Sequence, residues 1–293
     1  MNRQTYFALP HVAQFTDWLA AELDSQSRFK HEYVDRRSAT QWSCNSLFDA
    51  FCKYRWNHPG NARLGFNPGS CSASNGLALA ELRKDLQGID DDDGRALEAT
   101  LDVMRWGGVS AGNANWLTVN KAGLANALKT VQVAMDAGDE RAPTLRAKQL
   151  RFNSGMTKVY SLLCKNFVIY DSRVAAALRW LVVKYCQTHS LSSVPQALSF
   201  PWAGAKEAAN ASAPKRRNPG IGNLQFKGLR SGSHHALWNL RANWLLTAVL
   251  AHPTAHDSPF HSVAAPYAPL RALEAALFMI GYDLGNQRAA VAA

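Results

Sequence analysis

Along most of the chain, apolar residues return every three or four positions, the spacing that lines them up on one side of a helix. Val12, Phe15, Trp18, Leu19 and Leu23 form such a stripe behind Pro10. A proline suits the first turn because its φ is preset and its missing N–H would have no partner there. "NSLFDAFCKYRW" repeats the pattern with Leu47, Phe48, Phe51 and Tyr54. "DGRALEATLDVMRW" opens on acids and closes on Arg105, the polarity the helix dipole favours, and the acidic run Asp90 to Asp93 reads as its solvated cap. "NKAGLANALKTVQVAMDAG" stops at Gly138, a good helix terminator. "DSRVAAALRWLVVKYC" and "HHALWNLRANWLLTAVL" read as mostly buried helices, and "PLRALEAALFMIGYDLG" as a final helix ending before Gly285.

Alternation of period two is nearly absent, and "NFVIY" is too short and isolated to build a sheet. The expected fold class is therefore mainly α. Two stretches rich in Gly, Pro, Ser, Asn and Ala, Asn57 to Gly76 and Ala203 to Asn223, read as loops. The second carries the basic triplet Lys215, Arg216 and Arg217, expected to be solvated.

Composition narrows the partners more than the fold. The 293 residues are 47% apolar, enough for one large core or two lobes sharing a cleft. A net charge of +10 favours a polyanion, nucleic acid first, and argues against a helical protein-interaction scaffold. The five cysteines are scattered without a CxxC pair, as in a reducing compartment. No His or Cys near Cys44 and Cys52 completes a zinc site, so neither metal nor cofactor is expected. "MNRQTYFALPHVAQF" lacks the run of a secretory signal, and the longest apolar run, Trp244 to Ala251, is about a third of a bilayer span. These features predict a soluble, cytoplasmic, nucleoid-associated monomer with no membrane partner.

The candidate chemistry lies in "NSGMTKVYSLLCKNFVIYDSRVAAAL", residues 153 to 178. Gly155 can take a positive φ and turn the chain tightly between a helix carrying Leu145 and Leu150 and a second one starting near Met156 or Thr157. The first N–H groups of that second helix lack intrahelical partners and suit a phosphate. Lys148, Arg151 and Lys158 crowd the same turn, and Asp171 sits at the N-cap of the next helix, 13 residues beyond Lys158. A lysine and an aspartate so spaced can face one cleft.

This stretch resembles the helix-hairpin-helix DNA glycosylases, most closely the 8-oxoguanine glycosylase branch, over roughly residues 140 to 185. "SGMTKV" stands for the family's Gly-x-Gly-Thr-Lys-Val hairpin, with Met156 near a glycine position, and "VIYDSRV" for the segment ending in its catalytic aspartate. The resemblance implies two helical lobes with the motif and a catalytic cleft between them: residues 1–135, then the motif at 140–185, then 190–293. It implies that Lys158 is the nucleophile and Asp171 the carboxylate that stabilises positive charge on the deoxyribose. Gly155, Met156, Thr157, Lys148, Arg151, Arg173 and Arg216 become phosphate contacts. The partner would be double-stranded DNA containing a modified base.

A flipped base needs a pocket with stacking and hydrogen-bonding groups. Trp42, Trp116, His234, His235 and Asn239 are its candidates. The base is an oxidised purine or, by a looser resemblance in length and C-terminal extent to anti-phage glycosylases, glucosylated hydroxymethylcytosine. Excision would leave an abasic site, with strand cleavage through a lysine imine. A non-catalytic module that uses the hairpin only to hold phosphates is the competing expectation.

Overall fold

The computed structural model describes residues 1–36, 38–205, 207 and 214–285. They form α1 (Arg3–Phe7), α2 (Pro10–Glu22), β1 (His31–Asp35), β2 (Thr40–Cys44), α3 (Leu47–Cys52), β3 (Arg55–His58), β4 (Gly69–Cys71) and α4 (Ser72–Gln87). There follow α5 (Asp93–Trp106), α6 (Asn113–Val119), α7 (Leu124–Ala137), α8 (Pro143–Arg146), α9 (Met156–Leu163), α10 (Ser172–Thr188), α11 (Ser233–Leu250) and α12 (Pro269–Ile280). The fold is mainly helical, with two small antiparallel ribbons, β1–β2 and β3–β4.

The helix ends follow the residues that cap them. Pro10 occupies the first turn of α2, and Gly138 closes α7 in the left-handed conformation. Asp92 accepts from the Gly94 and Arg95 amides at the start of α5. Asp93 reaches across to the Gly123 and Ala125 amides, so adjacent aspartates cap α5 and α7 together.

Four features differ from the sequence pattern. The β1–β2 hairpin is held by Tyr33 stacked on Trp42, ring centroids 4.7 Å apart, a cross-strand pair that short alternation does not reveal. The stretch Asn57 to Gly76 is not all loop, since it holds β4 and the first turn of α4. There Asn75 bridges the Trp56 carbonyl and the Trp106 indole, and a Cβ on Gly76 would meet Pro266 and Tyr267 at 2.9 Å. These residues are required by packing, which outweighs their low helix propensity. The helix expected to carry Leu145 and Leu150 is the single turn α8, with Leu150 outside it. Finally, α12 stops at Ile280, and its C-cap Gly281 lies against the first turn of α10.

In space, α3 packs on α12, and α2 on α10 and α11, whereas α4, α5 and α7 pack on α9. In this packing the first helices meet the last ones. One continuous hydrophobic core runs from Tyr6 to Leu284, with a small satellite of Tyr54, Ala275 and Met279. Among the described residues no helix is long and apolar enough to cross a membrane.

A Cβ at position 281 would stand 1.9 Å from the Arg173 carbonyl oxygen, a backbone atom that cannot swing aside. Gly281→Ala should therefore lower the free energy of unfolding by about 1–3 kcal/mol, the usual cost of overpacking. Urea denaturation followed by circular dichroism measures it.

Candidate functional site

The segment 167–170 runs through the interior without regular secondary structure. Buried backbone groups must find hydrogen bonds, and here side chains supply them. Asn243 accepts from the Val168 amide (3.1 Å), Glu274 from that of Ile169 (2.6 Å) and the Thr157 hydroxyl from that of Tyr170 (2.9 Å). Arg271 donates to the Phe167 carbonyl (3.1 Å), Asn239 to that of Val168 (2.9 Å) and His235 to that of Tyr170 (2.6 Å). Burial pushes the His235 imidazole down to about 4, outweighing the opposing Tyr170 hydrogen bond, so at neutral pH the ring is uncharged and donates through Nε2–H.

This scaffold delivers Asp171 to the start of α10. One carboxylate oxygen accepts from the Arg173 (2.9 Å) and Val174 (3.1 Å) amides, and the other lies 3.4 Å from Lys158 Nζ. Burial acts to raise the Asp171 pKa, but Lys158, Arg173, the Val174 amide and Arg217 together bring it below the ordinary aspartate value, so it is ionised at neutral pH. Lys158 enters from the first turn of α9, buried, its ammonium also donating to the Ser154 carbonyl at 3.0 Å. Gly107, at the end of α5, makes room for it: a Cβ there would meet Lys158 Cδ at 2.5 Å. The two sequence-predicted catalytic residues thus form a buried ion pair.

The pair lies on the wall of a cavity of about 480 Å³. Aromatic faces come from Tyr54, Trp56, Trp106, Phe278 and Tyr282, and cations from Arg36, Arg173, Lys215, Arg217 and Arg271. The Arg173 guanidinium stacks over Phe278 (4.2 Å) and Tyr282 (4.8 Å). Glu274 is the second carboxyl; burial pushes its pKa up against the pull of Arg271, with which it is paired. A second cavity of about 740 Å³ shares Tyr54, Trp56, Arg173 and Tyr282 with the first and extends to Tyr33 and Trp42 on the β1–β2 hairpin.

Of the expected phosphate contacts, Lys148 is exposed, and Arg151 binds the Gly112 carbonyl and Asn113 while covering the Trp116 ring. Gly155 is buried with φ −83°, not in the positive-φ turn; its glycine is needed because a Cβ would stand 2.2 Å from Asn113 Nδ2. Its amide and that of Met156 are taken by the Asn153 side chain, so they do not face outward for phosphate. Met156 and Thr157 are buried, Thr157 donating to Asn239 at 2.5 Å. Arg216 is bound to the Asn218 and Gly220 carbonyls of its own loop. The basic triplet is not wholly solvated, because Arg217 is buried in the cavity wall.

The base-pocket candidates disperse. Trp42 lines the second cavity; His234 lines a separate depression beside Met1 and Glu140; Trp116 lines neither the first nor the second cavity. His235 and Asn239 are core residues that satisfy the 167–170 backbone. Sequence reasoning missed Trp56, Phe278, Glu274 and Gly107. Only Glu274 carried a signal, a lone acid inside the apolar run of α12. Among the described residues no group of His, Cys, Asp and Glu could hold a metal ion. No family model, curated protein or solved structure matches the chain.

Gly107→Ala tests whether Lys158 depends on the space beside α5. The obstructing atoms belong to a flexible side chain and the Gly107 backbone is right-handed helical, so the fold should survive with a near-normal melting temperature. Lys158 should be displaced from Asp171, and any chemistry of the pair should fall at least tenfold. Unchanged activity would mean the amine has another way to reach Asp171.

Proposed function

We propose that the chain is a DNA glycosylase that takes a modified base from the duplex into the 480 Å³ cavity and cuts its bond to deoxyribose. The observation that carries this reading is the buried Lys158–Asp171 pair, 3.4 Å apart, on the wall of an aromatic and cationic cavity. Aromatic faces suit a stacked base and the cations suit the flanking phosphates. As the C1′–N bond breaks, the base leaves with the bonding electrons and takes up a proton. Asp171, held ionised by cations and amides, stabilises the positive sugar. The Lys158 amine, having given its proton to the leaving base, bonds to C1′; as the C1′–O4′ bond breaks and O4′ takes a proton from the nitrogen, the ring opens to an imine that supports strand cleavage by β-elimination.

The adjoining 740 Å³ cavity favours a base with a bulky polar substituent, such as glucosylated hydroxymethylcytosine, over a compact oxidised purine. Asp35, Ser38, Thr40, Gln41 and Asn57 line it beside the Tyr33–Trp42 stack, groups suited to hydroxyls and to a ring face. Such a substrate fits defence against phage with modified DNA, and an oxidised purine fits repair. A panel of duplexes containing either class, scored for abasic sites, separates the two.

Two substitutions test the chemistry. Borohydride trapping on a cleaved duplex should give a protein–DNA cross-link that disappears in Lys158→Gln. Excision without any cross-link in wild type would leave Asp171 activating water instead. Asp171→Asn keeps the cap, since Asn caps about as well as Asp, but removes the charge. Excision should slow by about 10²–10³ while DNA affinity is kept. Near-wild-type excision by this variant would take Asp171 out of the mechanism, and tight DNA binding without any excision would favour a non-catalytic module.

A further inference from the structure

Arg217 is a buried cation with no carboxylate in direct ion-pair contact among the described residues, although Asp171 and Glu207 act on it from farther off. It is 9% exposed, its Nε donates to the Tyr282 carbonyl at 3.4 Å, and its Nη1 donates to the Ser172 hydroxyl. Lys158, Lys215, Arg36 and Arg271 of the same wall each have a carboxylate in ion-pair contact. Its Nη2 makes no hydrogen bond among the described residues. Burial and the nearby Arg173 guanidinium bring its pKa down to about 10 against the opposing pull of Asp171 and Glu207. The backbone is fixed as well, because the fully buried Arg179 donates to the Arg217 carbonyl.

A buried charge with no carboxylate in contact is costly, and a bound anion would offset that cost. The location indicates the use. Ser172 follows Asp171 in sequence, so the guanidinium stands one residue from the carboxylate that would face the sugar.

We propose that Arg217 is an anion-binding residue of the cavity, and that its ligand is the phosphodiester next to the flipped nucleotide. The inference rests on the DNA glycosylase reading for the source of that phosphate. Arg217 then supplies a charge-assisted contact that forms only when the nucleotide has left the duplex, and it holds C1′ against Lys158 and Asp171.

The test uses a duplex with a tetrahydrofuran abasic analogue, in which the phosphate on its 5′ or 3′ side is replaced by a neutral methylphosphonate. Wild type should lose about ten- to a hundredfold in affinity at one of the two positions, the size of a charge-assisted hydrogen bond. Arg217→Gln should show a similar loss on the native diester and no further loss on that methylphosphonate. Its melting temperature should be unchanged or raised, because a buried charge with no carboxylate in contact has gone; a merely structural arginine would lower it.

The proposal is overturned if wild type ignores both methylphosphonates, if the two losses simply multiply, if Arg217→Gln is destabilised, or if the analogue duplex is not bound. The glycosylase reading is judged separately by abasic-site formation. Coupled losses without excision would sink that reading and leave the anion site standing, whereas excision without coupling would sink only the anion site.

Discussion

The site depends on how a short piece of buried backbone is satisfied. Residues 167–170 pass through the core outside any helix or sheet that would supply their hydrogen bonds. Leaving such groups unpaired costs about 1–3 kcal/mol each. Side chains from α9, α11 and α12 take the place of neighbouring strands. Because these helices converge on one segment, the residue that follows it, Asp171, is located by the whole helical assembly rather than by a loop. Thr157 links the two halves of the site directly: it sits one residue before Lys158 and bonds the amide one residue before Asp171.

Electrostatics then divides the carboxyls of the cavity. Asp171 is surrounded by amides and cations that outweigh its burial, so it stays ionised. Glu274 is buried as deeply, yet its burial prevails and its pKa rises despite Arg271. One carboxyl can hold negative charge beside a developing cation, while the other is biased toward keeping a proton. Environments that push two titratable groups apart in this way are the usual arrangement where acid and base roles must be distinct.

The helices were legible where burial follows a simple stripe, as in α2, α5 and α7, where the helix is apolar nearly all round, as in α10 and α11, and where a cap is explicit, as at Asp92 and Asp171. The nearness of Lys158 to Asp171 was legible because the two lie 13 residues apart at successive helix starts. The rest of the site was not, for a physical reason. Trp56, Phe278, Glu274 and Arg217 come from separate parts of the chain and are brought together only by tertiary packing. His235 and Asn239 looked like recognition groups because polar residues in an apolar helix suggest a ligand; here the ligand is the protein's own backbone. Gly155 and Gly76 looked like turn residues, yet each is glycine because a neighbour occupies the space of a Cβ.

The paired caps Asp92 and Asp93 make α5 a ruler. Its first turn is tied to the start of α7, and its far end, Gly107, borders the stem of Lys158. A helix advances about 1.5 Å and turns about 100° per residue. A single insertion or deletion within α5 would therefore swing the vacant face of Gly107 away from the lysine while leaving every residue of the site intact. Length along this helix is as strict a requirement as side-chain identity at its end.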